Sequence, residues 1–464
     1  MMIHAALAPH PPIIIPEVGG QRAYEAEKTI AGQQAMAQDL VRSQPEVLLF
    51  ITPHGNVFSD CISYLSEDVL TGNLGSFGAP EVKFSYQNDL DFMQAVSILC
   101  QERNIPFLGI DHKLARQYQV NPFLDHGVMV PLYYLQQAGL QSCKLGVISV
   151  AYLSKKELLS FGKILQEVAQ SQQKKTALIA SGDMSHRLKD EGPYNYHPAG
   201  PEFDRSVLDA IQTGELVRII DLPDSIVDQA GECGYRPLLM LLGALDGYKV
   251  RSRVYSYEGP FGVGYLCASF TPLEPGPSIM QKIEEDSKKN ISEQRRNESP
   301  PVRWARSNVE QYILHGKKPD IPDDMNSFLD KQAGAFVTIK KYGRLRGCIG
   351  TFLPTQENLV QEIARNALAA ALNDPRFTPV KPNELQDLEY SVDILSAPEP
   401  ARIEDLDPQK YGVIVSYGNR RGLLLPDLEG VDTVEQQIKI ALEKAGIPAQ
   451  APYTLERFEV QRYT

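Results

Sequence analysis

The chain has 464 residues, 43% hydrophobic and 22% charged, a composition typical of globular proteins that excludes a disordered or fibrous chain. Its 46 basic and 58 acidic residues give a net charge of −12, which argues against a general nucleic-acid or anionic-membrane binder. The six cysteines lie far apart without a CxxC motif, and no apolar run is long enough to span a membrane, so we expect a cytoplasmic protein.

The first part of the chain alternates short apolar runs with amphipathic stretches. Buried strands are predicted at 3–8, 47–52, 144–153 and 175–181, with helical periodicity at 23–43 and 154–172. This alternation is typical of an α/β domain whose central sheet is mostly parallel. Two β-rich runs joined by PFG end the domain and predict a hairpin, KVRSRVYSYEG and VGYLCASF. We assign this domain to residues 1–271.

A segment rich in charges of both signs follows at 272–301 and is bracketed by prolines. A mixed-charge helix and a flexible linker both fit this composition, and neither belongs in a core. We therefore interpret 272–301 as a charged linker between two domains.

Residues 302–464 mix strands and helices without strict alternation. Helices are predicted near 303–315, at 357–373 and at 432–446; strands are predicted in GAFVTIKKYGRLRGCIGTF, at 388–395, in GVIVSYG, in RGLLLPD and near 455–462. This pattern favours an α+β domain.

Four histidines stand where a predicted strand ends or a predicted helix begins. His10, His54 and His186 each follow an apolar run, and His126 lies at the start of a helix in LDHGVMVPL. The carboxyl ends of parallel strands line one crevice, so these imidazoles can converge on one metal ion. A single histidine after a strand is also commonly an ordinary loop residue. Imidazole suits Fe(II), Zn(II) and Cu(II), so the pattern does not select the metal.

A further ligand is offered by GECGYRPLLMLLGAL, where Glu232 and Cys233 precede an apolar helix. Both residues also fit a helix N-terminus without any metal, because Glu232 favours the helix dipole and Cys233 is a small packing residue. Two neighbours do not easily point at one ion, so we expect only one of them to be a ligand.

Five strings in this order, PHPP, TPHG, DHGVMVPL, SGDMSH and ECGYRP, resemble the class III extradiol ring-cleavage dioxygenase (LigB-like) superfamily, which includes the Memo-like proteins. The resemblance implies a non-heme Fe(II) oxidoreductase acting on a small molecule. It implies that His10, His54 and Glu232 hold the iron, that His186 is the catalytic acid–base residue, and that His126 lines the substrate side.

The same resemblance leaves alternatives open. Memo-like proteins have a cysteine that matches Cys233, which makes this thiol the alternative ligand and Zn or Cu the alternative metal. A non-catalytic Memo-like scaffold and a zinc hydrolase are then the alternative functions. Asp183 and Asp125 are expected beside the metal or substrate, with Asp183 orienting His186 or simply shaping its loop.

In the second domain, GRLRGCIGTF places Arg344 and Arg346 on one face of a strand that also carries Cys348. Nearby guanidinium groups could lower the pKa of this thiol, although a small packing residue on a glycine-rich strand fits as well. Together with Arg376, these residues are the binding candidates of this domain.

LRGCIGT, NDPRFTP, SVDILSAPEP and GLLLPD resemble the AMMECR family across 302–464. Proteins that resemble both halves are associated with a radical-SAM protein in the AmmeMemoRadiSam system. The resemblance therefore implies a radical-SAM partner, and a homo-oligomer stays open.

Overall fold

A computed structural model describes residues 1–141, 143–428 and 430–464. The chain folds as two units, Met1–Ile283 and Glu284–Thr464. The division falls inside the segment predicted as a linker, most of which is a helix, Ile279–Asn297. Of the two forms that the composition allows, the structure has the mixed-charge helix.

The first unit is built on a mixed sheet of eight strands in the order β6-β3-β7-β2-β8-β1-β10-β9. The strands of this unit are β1 (Met2–Ala8), β2 (Val47–Thr52), β3 (Ile62–Leu65), β4 (Val69–Leu74), β5 (Ala79–Gln87), β6 (Phe107–Ile110), β7 (Lys144–Ser149), β8 (Thr176–Ser181), β9 (Tyr248–Glu258) and β10 (Tyr265–Pro275). The four central strands, β7, β2, β8 and β1, run parallel, while β10 and β9 form the predicted antiparallel hairpin. Strands β4 and β5 form a separate hairpin.

Helices pack against both faces of this sheet. They are α1 (Pro16–Gly19), α2 (Glu27–Arg42), α3 (Leu90–Glu102), α4 (His112–Tyr118), α5 (His126–Gln137), α6 (Lys155–Ser171), α7 (Ala199–Thr213), α8 (Val217–Ile220), α9 (Asp224–Ala230) and α10 (Tyr235–Ala244). The helix that contains the division between the units is α11 (Ile279–Asn297). Because side chains alternate across a strand, Leu49 and Ile51 of β2 enter one core, and Leu48 and Phe50 enter the other. A strand buried on both faces reads as a continuous apolar run, which is why β2 was recognisable from its sequence.

The second unit is an antiparallel sheet with helices. Its elements are α12 (Pro300–His315), β11 (Ala335–Lys341), β12 (Arg344–Gly350), α13 (Leu359–Leu372), β13 (Leu388–Leu395), β14 (Glu399–Pro400), β15 (Tyr411–Tyr417), β16 (Arg420–Leu424), α14 (Val434–Ala445) and β17 (Thr454–Tyr463). The strand order is β12-β11-β13-β17-β15-β16, with β14 paired to β17. This fold confirms the predicted α+β class.

The region between β2 and α5 was not predicted in detail. It contributes β3, β6, α3, α4 and the β4–β5 hairpin. Strand β5 alternates irregularly between buried and exposed residues, so its hydrophobic pattern is weak. Among the described residues, no helix combines the length and the apolar character needed to cross a bilayer.

Candidate metal site

The candidate ligands lie in loops at the carboxyl ends of three neighbouring parallel strands. Strands β2, β8 and β1 are adjacent in the sheet. His10 follows β1, His54 follows β2, and both Asp183 and His186 follow β8. His126 is the first residue of α5. The topology therefore brings residues that are far apart in sequence to one edge of the sheet, where parallel α/β folds bind ligands.

Three imidazoles meet at this edge. The ring centroids of His54 and His126 lie 4.4 Å apart, and those of His10 and His54 lie 4.7 Å apart. One nitrogen from each of the three rings can be chosen so that all lie within 4.8 Å of one another. His10 is buried, His126 half-buried and His54 exposed, so the cluster reaches from the core to the surface.

The orientation of His10 is set by a buried serine. The Ser181 hydroxyl donates to the Gly127 carbonyl and lies 2.8 Å from His10 Nδ1. Because its own hydrogen is used, the Ser181 oxygen accepts from Nδ1–H. This assignment leaves the Nε2 lone pair of His10 directed at the site, which is how outer hydrogen bonds fix the tautomer of a metal-binding histidine.

His10 also belongs to a second group of possible ligands, with Asp183 and Cys233. Its Nε2 lies 3.9 Å from Asp183 Oδ2 and 3.7 Å from Cys233 Sγ. The Asp183 carboxylate accepts the backbone N–H of His10 at 2.9 Å. The Asp183 carboxylate therefore contacts His10, whereas the sequence suggested a role in orienting His186.

Two glycines allow the loop after β8 to approach the loop before α10. A Cβ on Gly182 would lie 2.1 Å from the Cα of Gly234, so neither backbone has room for a side chain there. At this contact the Asp183 N–H donates to Cys233 Sγ at 3.3 Å, and the Gly234 N–H donates to the Asp183 carbonyl at 2.9 Å. Close backbone packing thus positions the thiol.

Glu232 occupies a different position from its neighbour. Its Oε2 accepts the backbone N–H of Tyr235 at the start of α10, and its Oε1 lies 3.9 Å from Arg236 Nη1. Among the described residues, the carboxylate belongs to neither group of converging ligand atoms. The geometry therefore favours Cys233, the alternative that the sequence left open.

The protonation states of the candidate ligands are compatible with binding a cation. Burial, reinforced by the neighbouring histidines, holds the pKa of His10 well below its usual value, so the ring is neutral. Burial raises the pKa of Asp183 to about 7 and, together with Asp183 and Glu232, raises the pKa of the Cys233 thiol well above its usual value. A bound cation would supply the positive charge that stabilises the thiolate and carboxylate. Neutral nitrogen, carboxylate and sulfur donors thus fit a transition metal.

Asp125 caps the helix that carries His126. As the N-cap of α5 it accepts the Gly127 N–H at 2.7 Å, and it accepts the Thr52 hydroxyl at 2.8 Å. Burial raises the pKa of Asp125 to about 6, against these hydrogen bonds. Its contacts make it a positioning residue for the start of α5 and for His126.

His54 lines two cavities. One, of about 750 Å³, is also lined by His126 and by residues of the β4–β5 hairpin such as Phe77 and Lys83. The other, of about 400 Å³, is lined by His186. The structure therefore places His126 and His186 in different cavities that share one histidine.

His186 is a neutral imidazole with one unpaired ring nitrogen. Burial, with a contribution from His54, lowers its pKa to about 4 and keeps the ring neutral. Its Nε2 is buried and has no hydrogen-bond partner among the described residues. Its ring stacks on Tyr194, with centroids 5.9 Å apart.

Two known families match the chain, one in each half. Residues 4–268 match the family described as the catalytic LigB subunit of aromatic ring-opening dioxygenase. The chain belongs to the LigB family. Residues 302–464 match the AMMECR1 family, so this LigB-family chain also carries an AMMECR1 domain.

Three individual proteins illustrate the range of similarity. A Clostridium acetobutylicum protein is 40% identical over 459 residues, which cover 98% of each chain. A Thermotoga maritima protein is 56% identical over 173 residues, which cover 36% of this chain and 98% of that protein. An Escherichia coli K12 protein of known crystal structure is 16% identical, with a TM-score of 0.39, and covers 57% of this chain and 99% of its own.

Sequence reasoning missed several residues around the LigB-type site. Ser181 ends a strand and reads as an ordinary strand residue. Phe77 and Lys83 belong to the unpredicted hairpin. Arg187 directly follows the motif SGDMSH and Arg236 lies inside ECGYRP, so their closeness in sequence to His186 and Cys233 was an available signal.

In the AMMECR1 domain, the candidate arginines contact internal carboxylates. Arg346 donates from Nε and Nη2 to Glu384 at 3.1 and 3.0 Å, and its side chain is 13% exposed. Arg376 makes a similar bidentate pair with Asp374, at 2.9 and 2.7 Å. Arg344 is exposed on β12.

Cys348 lies where the two recognised motifs of this domain meet. Its backbone N–H donates to Asp374 at 2.9 Å, and its carbonyl accepts from Arg376 at 3.2 Å. Its Sγ accepts the Thr338 hydroxyl at 3.3 Å and lines a cavity of about 870 Å³. Asp374 and Arg376 of the NDPRFTP motif therefore hydrogen-bond to the backbone of the edge strand β12, which carries the LRGCIGT motif.

Proposed function

We propose that the chain is a metal-dependent oxidoreductase of the LigB type, with Fe(II) as its metal and a small molecule as its substrate. The observation that carries this proposal is the environment of His10. A buried, neutral imidazole, held at Nδ1 by Ser181 and directing Nε2 at the site, lies beside four further potential ligands, His54, His126, Asp183 and Cys233. Such preorganisation is typical of a metal ligand.

Within this proposal, His10 and His54 hold the metal, together with Cys233 or Asp183. When bound, the metal would supply Lewis-acid activation and a template for substrate and oxidant. The protein residues supply the rest. His126 and Phe77, whose ring centroids lie 5.4 Å apart, line the larger cavity and would orient an aromatic substrate by ring contacts.

His186 would accept a proton from a substrate hydroxyl at Nε2 and later return it. The ring is neutral and its Nε2 has no partner among the described residues, which leaves that nitrogen available for a substrate hydroxyl. Tyr194 would hold the ring by stacking.

A second function, metal-dependent recognition of a partner without catalysis, is favoured by one observation. The residue next to His10 Nε2 is Cys233, and Glu232 caps α10 instead. Thiolate ligation selects softer metals such as Cu(I) or zinc. In that case the site would be Memo-like.

We further propose that a radical-SAM protein is the partner of the two-domain chain. Fusion of two modules raises their effective mutual concentration, which favours a shared ligand or partner. Cytoplasmic location is part of this proposal, because the six cysteines are unpaired and would stay reduced there.

The test is anaerobic reconstitution of the full chain with Fe(II), Zn(II) or Cu(I), followed by exposure to air with a panel of aromatic diols. The proposal expects oxygen consumption and a ring-opened product with iron alone, lost in His186→Ala. Tight metal binding without oxygen consumption would favour the recognition function. The absence of binding for all three metals would refute both.

A further inference from the structure

The 400 Å³ cavity beside His186 carries two guanidinium groups that the proposed chemistry does not use. Arg187 and Arg236 line this cavity together with His54, His186 and Cys233. The same cavity is thus lined by two positively charged side chains and by candidate metal ligands.

Neither guanidinium donates a hydrogen bond to a described acceptor. Arg187 makes no ion pair or side-chain hydrogen bond with any described residue, and its Nε is buried without a partner. Arg236 approaches Glu232 only to 3.9 Å and donates no hydrogen bond to a described acceptor. Buried donors are normally paired, so the unpaired Arg187 Nε, beside a second guanidinium that has only a long ion pair with Glu232, indicates a missing acceptor.

Each guanidinium lies over an aromatic ring. The guanidinium of Arg236 lies 4.5 Å from the ring centroid of Tyr152, and that of Arg187 lies 6.0 Å from that of Tyr194. Stacking on a ring leaves the edge of a guanidinium free to donate. These contacts therefore leave donor edges of both guanidinium groups available to an external acceptor.

The backbone leaves room for this arrangement. Gly231 has a φ of +62°, and a Cβ at this position would lie 3.1 Å from Arg187 Nε. The Arg187 side chain thus packs directly on a residue that has no side chain. Arg236 lies in the first turn of α10, where the helix dipole adds positive potential.

We propose that Arg187 and Arg236 form an oxyanion-binding subsite, so that the substrate of this site is a small organic acid. Guanidinium groups bind carboxylate or phosphate in a bidentate manner. Anchoring the acid group there would hold the rest of the molecule beside His186 and the metal ligands. The statement that the bound acid is a substrate rests on the proposed function. The anion-binding subsite itself does not require a metal.

The test is a ligand-observed NMR titration of the full chain with benzoate, phenyl phosphate and benzamide, which is neutral and close to benzoate in shape. Charge-assisted hydrogen bonds predict that at least one anion binds about tenfold or more tightly than benzamide. Tighter binding of benzoate identifies a carboxylate site, and tighter binding of phenyl phosphate identifies a phosphate-ester site.

Variants test whether the two arginines cause the tighter binding of the anion. Arg187→Gln and Arg236→Gln should each weaken the preferred anion about tenfold or more and leave benzamide unchanged, whereas Arg187→Lys should retain part of the affinity. Arg218→Gln, an exposed arginine on α8, is the matched control and should bind like the wild type.

Metal content is measured on the same samples. Loss of anion binding with unchanged metal content supports the subsite. If the wild type binds no metal but still binds the anion through these arginines, the subsite stands and the proposed function fails. Equal binding of anions and benzamide, or retention of anion affinity in the folded Arg187→Gln protein, would overturn the subsite.

Discussion

Replacing Ser181 by Ala tests whether the site is preorganised around His10. The change removes one oxygen that links two fully buried groups, His10 Nδ1–H and the Gly127 carbonyl. Leaving a buried polar group without its partner costs about 1–3 kcal/mol, so we expect the first unit to lose about that much stability. The His10 ring is also freed to change tautomer, and loss of such an outer hydrogen bond typically lowers metal affinity about 10–100-fold.

The matched control is Ser63→Ala, which deletes another buried hydroxyl of the same unit. Ser63 donates to the Asn56 carbonyl at 2.7 Å and makes no hydrogen bond to a described histidine. Stability is followed by far-UV circular dichroism in urea, and metal affinity by competition with a chelator. We expect similar stability losses for both variants and a loss of metal affinity only in Ser181→Ala. Equal metal affinity in the two variants would refute the role assigned to Ser181.

The remaining predictions concern the ligand choice and the second domain. Cys233→Ser should reduce metal affinity or change the preferred metal, whereas Glu232→Gln should keep the metal and weaken the start of α10; metal analysis and thermal unfolding distinguish them. Burial raises the pKa of Glu384, but hydrogen bonds from Arg346 and Lys341 outweigh it and lower this pKa to about 2, below its usual 4.5. The stability it contributes is therefore present above pH 4.5 and lost as the pH falls toward 2, so the difference between wild type and Glu384→Gln should shrink over that range. Asp374→Ala should destabilise the AMMECR1 domain and leave metal binding unchanged. Unfolding of that domain is followed by the fluorescence of Trp304, the one tryptophan of the sequence, which is buried there, and metal binding by metal analysis.

The elements that sequence reasoning located best are those whose burial gives a clear pattern. Strand β2 is buried on both faces and was predicted at its observed bounds, as was β13. Histidines placed directly after such strands could be expected at one edge of the sheet, because the topology of parallel α/β folds brings those ends together.

Other features depend on contacts that a linear pattern does not contain. The preference for Cys233 over Glu232 follows from the close approach of Gly182 to Gly234, which only the folded backbone shows. The role of Arg346 is decided by Glu384, which is 38 residues away in sequence. The β4–β5 hairpin, which lines the larger cavity, has too irregular an alternation to be predicted.

The most direct test of the central claim is metal analysis of the full chain purified without oxygen. The wild type is compared with His10→Ala and with His112→Ala, a histidine at the start of α4 that lies outside the cluster. We expect about one transition-metal ion per chain in the wild type and in His112→Ala, and almost none in His10→Ala. A folded His10→Ala protein that retains the metal of the wild type, or a wild type that binds no transition metal under any loading condition, would contradict it.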